Sequence, residues 1–100
     1  MRTGEYNVVG YETLTIADSA TTLTGGVTGA KSFTGKLETG AVRARADGSA
    51  PTTSEGILIS VGDVVTLSSS QIDNMQFIRT TSTSGVLKGH YFSIEAAHLS

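Results

Sequence analysis

Short stretches in which apolar residues recur at every second position divide this chain, and no stretch keeps a helical period beyond one turn. In residues 11–17, Leu14 and Ile16 fall on one side and Thr13 and Thr15 on the other. In 31–38, Phe33, Gly35 and Leu37 oppose Ser32, Thr34, Lys36 and Glu38; in 41–46, Val42, Ala44 and Ala46 oppose Arg43 and Arg45. Period two is the signature of a strand with one buried face, because successive side chains point to opposite sides of a sheet. Two short apolar runs, Ile57-Leu58-Ile59 and Val64-Val65-Thr66-Leu67, and the segments 76–81 and 86–94 complete the set of expected strands.

The punctuation between these stretches is turn chemistry. Residues 18–30 are dominated by Thr, Gly and Ala and read as a loop, with Leu23 and Val27 available to pin it to the core. Thr39-Gly40 reads as a short reversal joining its neighbours in a β-hairpin, and Ser82-Thr83-Ser84-Gly85 as the turn of a closing antiparallel pair. Asp47-Gly48 and Pro51 are explained by turn geometry, since Asp tolerates it and Gly supplies positive φ. Ser68 followed by Gln71 matches a capping box, and Ile72 and Met75, three apart, support one helical turn. The small Ala44 and Ala46 imply that something bulky crosses their face. The expected fold is therefore all-β: a small antiparallel β-sandwich or jelly-roll-like barrel, with one short helical turn near residues 69–75. No linker divides the chain and no long repeat is visible, so residues 1–100 are read as a single β domain. Extended arms are expected at 1–9, where Tyr6, Val8 and Val9 suit a short strand or an arm, and at 95–100.

Composition narrows the function classes. There is no cysteine, which excludes disulfides, thiolate metal sites and thiol catalysis. A formal charge of −2 lacks the basic footprint of a nucleic-acid or acidic-membrane binder. No apolar run approaches the roughly 20 residues of a membrane helix, and the first residues lack the apolar core of a secretory signal, so a protein made in a cytoplasm is expected. Serine and threonine together number 27 of 100 residues, while 16% are charged. That balance suits either half-exposed strands or a surface that packs against other copies.

Residues that carry chemistry are sparse. His90 and His98 stand eight apart, a spacing that fits no usual metal pattern, and no Gly-x-Ser-x-Gly elbow accompanies them. The carboxylates are scattered, and no glycine cluster ends in the Gly-Lys-Ser/Thr of a phosphate loop. No catalytic, metal or cofactor site is expected. Arg43, Arg45 and Arg79, with Lys36 and Lys88, read as a basic stripe that pairs bidentately with a carboxylate-bearing partner. They equally fit a solvated face balanced by Glu38 and Asp47, where exposed ion pairs contribute little. Tyr6, Tyr11 and Tyr91 are candidates for stacking a sugar, which keeps a carbohydrate-binding module among the alternatives.

From Ala41 to Phe92 the chain resembles a loose family of small virion proteins of tailed bacteriophages. The likeness lies in Val42-Arg43-Ala44-Arg45-Ala46-Asp47-Gly48, Pro51-Thr52, Gly56 and Ile57-Leu58-Ile59. It continues through Gly62-Asp63 and its following strand, Phe77-Ile78-Arg79-Thr80-Thr81 and His90-Tyr91-Phe92. The resemblance implies a non-enzymatic β-sandwich of the virion, assembled in the host cytoplasm. Its first form is a capsid decoration (cement) protein, homo-oligomeric and bridging subunits of the major capsid protein. A neck or tail adaptor or fibre-attachment component is the alternative within the particle. On that reading Arg43, Arg45 and Arg79 form a polar docking face, and Tyr6, Val8 and Val9 belong to an arm that adds a strand to a neighbour.

Overall fold

In the computed structural model, residues 8–24 and 30–93 are described. Eight strands and one short helix follow in order: β1 (Val8–Ile16), β2 (Thr21–Thr22), β3 (Ser32–Thr39), β4 (Val42–Arg45), β5 (Ile57–Ile59), β6 (Val64–Ser68), α1 (Ser69–Asn74), β7 (Gln76–Arg79) and β8 (Gly85–Phe92). They form two four-stranded antiparallel sheets, β1-β8-β3-β6 and β2-β7-β4-β5. The all-β sandwich expected from the alternation is present.

The connectivity is that of a jelly roll. Strand β1 pairs with β8, β2 with β7, β3 with β6 and β4 with β5, so the chain is one long antiparallel ribbon doubled back on itself. The partners Val8 with Phe92, Thr21 with Phe77, Ser32 with Ser68 and Val42 with Ile59 are all nearly symmetric about Ala50 and Pro51. Rolling this ribbon brings β3 beside β8 and β4 beside β7, which closes each sheet.

Two expected hairpins are therefore corrected. Thr39-Gly40 does not turn β3 back onto β4, and 82–85 does not join β7 to β8 as neighbours; each segment carries the chain from one sheet to the other. The two crossovers lie side by side and fasten each other. Thr39 Oγ1 donates to the Ser84 carbonyl at 3.1 Å. The Thr80 N–H and hydroxyl both donate to the Ala41 carbonyl, at 3.1 and 2.9 Å. Gly40 has φ +60°, and a Cβ there would come within 2.6 Å of the Thr83 and Ser84 carbonyl oxygens. Only a residue without a side chain fits this junction.

Between the sheets the alternating residues meet as expected. Leu14 and Ile16 of β1, Phe33 and Leu37 of β3 and Val42 and Ala44 of β4 are buried in one core, and Leu23 pins the loop after β2 to it. Val27 lies outside the described residues. The bulky group over Ala44 is Phe77, its direct cross-strand partner and fully buried. Ala46, expected on the same face, is exposed beyond the end of β4. Helix α1 begins as the capping box requires, with the Ser68 N–H donating to Gln71 Oε1 at 2.9 Å, and it buries Ile72.

Candidate docking surface

The longest connection, residues 46–56, joins β4 to β5 at the apex of the ribbon. Its shape is held from below by arginine. Arg43 Nε donates to the Thr53 carbonyl at 3.1 Å and Nη1 to the Gly56 carbonyl at 2.9 Å, so one guanidinium grips the returning limb at two points. Arg45 forms a two-point pair with Asp47, Nε to Oδ1 at 3.1 Å and Nη2 to Oδ2 at 2.6 Å. The Asp47 carboxylate also accepts from the Ser49 N–H at 3.3 Å, an Asx-type turn. The hydrogen bond from Arg45, aided by the Ser49 N–H, holds the Asp47 carboxyl below the usual aspartate range, and the same contact raises Arg45.

Further along, Thr52 Oγ1 accepts from the N–H groups of Ser54 and Glu55 at 3.2 and 2.9 Å, and Pro51 is buried among exposed neighbours. Gly48 and Gly56 take positive φ of 92° and 129°. The apex is thus a polar connection whose hydrogen bonds close within it and on its β4 flank, most of them on its own backbone. Beside it Ala44, Arg45, Ala46, Asp47, Gly56 and Ile57 line an open cleft of about 310 Å³.

Arg43→Ala removes both backbone anchors at once. We expect a stability loss of about 1–2 kcal/mol and faster amide exchange over residues 49–56. Asp47→Asn keeps an oxygen for the Ser49 N–H and weakens only an exposed ion pair, so it should leave the melting temperature nearly unchanged. Exchange followed by mass spectrometry separates the two outcomes.

Of the cations expected to share one face, Arg43 and Arg45 do lie together on the outer side of β4, but Arg79, Lys36 and Lys88 do not join them. In register Arg43 lies opposite Ile78, while Arg79 lies opposite Val42, on the core-facing side at the end of β7. Lys36 and Lys88 sit opposite each other on the outer face of the other sheet, where Lys88 pairs with Glu38 at 3.5 Å. Val8 and Val9 are part of β1 rather than a free arm: Val8 pairs with Phe92, and Val9 packs partly against the core. Tyr6 and the segment 95–100 lie outside the described residues.

Of the tyrosines, Tyr91 is buried, which removes it from any sugar-stacking surface. Tyr11 is exposed on the outer face, edge-on to His90 with centroids 5.3 Å apart. Sequence reading missed Glu12, whose carboxylate accepts from the Tyr91 hydroxyl, from the Thr24 N–H at 3.1 and 3.2 Å and from the Thr24 hydroxyl at 2.9 Å. The signal was positional, since Glu12 shares the face of Leu14 and Ile16. It also missed the large apolar side chains left open around β5 and β6, among them Ile57 at 69% and Leu58 at 51% exposure. No family model, no curated protein and no solved structure matches the chain.

Proposed function

We propose that this protein is a non-enzymatic structural component of a tailed-bacteriophage virion, and that it decorates the capsid as a cement protein. The observation that carries the reading is the hydrogen-bonded apex: the stretch with the virion-protein resemblance forms a connection whose shape is held by Arg43, Arg45, Asp47 and Thr52. A surface ordered before contact loses little conformational entropy on docking. Repetition over a capsid lattice then turns individually weak contacts into stable coverage. In this reading the major capsid protein is the partner, the protein acts as a homo-oligomer in the virion, and it needs no cofactor.

Quantitative mass spectrometry of purified particles tests the assignment against the portal subunit as internal standard. Decoration predicts on the order of hundreds of copies per particle, whereas on the order of a dozen would place the protein in the neck or tail. Absence from the particles overturns the virion reading altogether. Within a confirmed decoration protein, apex variants such as Arg43→Ala should lower occupancy on expanded capsids.

A further inference from the structure

The two long edges of the sandwich are unlike. At one edge lie β1 and the two-residue β2; β1 is interrupted by a register shift between Val8 and Gly10 and carries the inward-pointing Glu12. A register shift and an inward charge are devices by which natural sheets keep an edge from pairing with other chains. At the other edge lie β5 and β6, and neither Ile57–Ile59 nor Val64–Ser68 contains a charged residue. Strand β5 departs from alternation altogether: Ile57, Leu58 and Ile59 are all apolar, and the sandwich covers only Ile59 in part. Val61, in the following turn, is exposed as well.

From this asymmetry we infer that two copies of the chain associate through β5, antiparallel and about a two-fold axis at Leu58. In that register Leu58 faces its own counterpart on the outer surface, while Ile57 of each copy faces Ile59 of the other. A two-fold contact sets every residue against itself or its mirror position, so a charged edge would repel itself. The β5 strand places only apolar side chains in that position. The pairing makes sheet β2-β7-β4-β5 continuous with that of the second copy, and it covers the most exposed large apolar side chain of the described residues, Ile57. Three residues make a short strand, so the dimer is a reversible one, populated as concentration rises. This adds to the decoration reading the surface by which copies meet; it is tested on free protein, so either reading can fail without the other.

The chain has no cysteine, so a single introduced cysteine can form a disulfide only between copies. Directly opposed Cα atoms in an antiparallel pair are about 4.5–5.5 Å apart, within disulfide reach. Leu58→Cys should give a covalent dimer under mild oxidation, while Thr66→Cys, exposed on β6, should remain mostly monomeric. In sedimentation velocity the wild-type chain should show a concentration-dependent dimer, and Leu58→Lys should weaken it at least about tenfold. Unchanged melting of Leu58→Lys at dilute concentration would show that the fold is intact. A wild-type chain that stays monomeric at every concentration overturns the inference. So does equal cross-linking at position 66, or association that survives Leu58→Lys.

Discussion

Gly89→Ala should destabilise the protein by about 3 kcal/mol, a large effect for one methyl group. Gly89 of β8 and Gly35 of β3 are direct partners, and both are buried. The Phe33 ring lies over the space that their missing side chains leave. A Cβ on Gly89 would meet the Gly35 Cα at 2.5 Å and Phe33 Cζ at 2.6 Å; one on Gly35 would meet the Lys88 carbonyl oxygen at 2.7 Å. Phe33 cannot simply withdraw, because it is fully buried and packed against Tyr91, with ring centroids 5.1 Å apart. Denaturant unfolding should show a lower midpoint with an unchanged slope. In a Phe33→Leu background the further loss from Gly89→Ala should shrink but persist, because the backbone of β3 stays in the way. A loss below about 1 kcal/mol for Gly89→Ala alone would mean that the strands separate easily and that the glycine pair does not constrain packing.

That glycine pair also shows what the sequence made legible and what it hid. Period two placed Leu14, Ile16, Phe33, Gly35, Leu37 and Val42 on buried faces, and the structure agrees at each. Alternation reports which face of a strand is buried. It does not report which of two facing sheets the strand belongs to, because both sheets bury their inner faces against the same core. A chain that hops between sheets at Gly40 therefore leaves the same pattern as one that turns back on itself. Both misread connections, at 39–40 and at 82–85, are of this kind.

The candidate docking residues divide along the same line. Arg43 and Arg45 alternate with Val42 and Ala44, and they do point outward. Arg79 shares the parity of the buried Phe77, a signal that the reading of a common outer stripe passed over. What Arg43 does with its outward position, closing on Thr53 and Gly56, depends on the path of a loop for which no periodicity exists. The exposed β5 is legible only as composition, three apolar residues in a row, which reads equally well as a strand buried on both sides.

Glu12→Ala is expected to cost about 2 kcal/mol, since it removes several hydrogen bonds to one half-buried charged acceptor. The carboxylate ties three distant parts of the chain: β1, the segment after β2 through Thr24, and β8 through the Tyr91 hydroxyl. In the doubled ribbon β1 and β8 are the first and last strands brought together, so this contact fastens the last pair of the roll. Glu12→Gln keeps an acceptor oxygen but loses the charge, and it should recover part of the loss. Tyr91→Phe removes one donor and keeps the ring on Phe33, which predicts a smaller loss of about 1–2 kcal/mol. Combining Glu12→Ala with Tyr91→Phe should cost clearly less than the sum of the two, by about 1 kcal/mol, because both delete the same contact. Amide exchange adds a spatial readout: Glu12→Ala should release the Thr24 N–H and the outer pairs of β1 with β8, while the β4–β5 apex stays protected. Full additivity of the two substitutions would show that Tyr91 and Glu12 stabilise the fold independently, and the closing contact would have to lie elsewhere along β1 and β8.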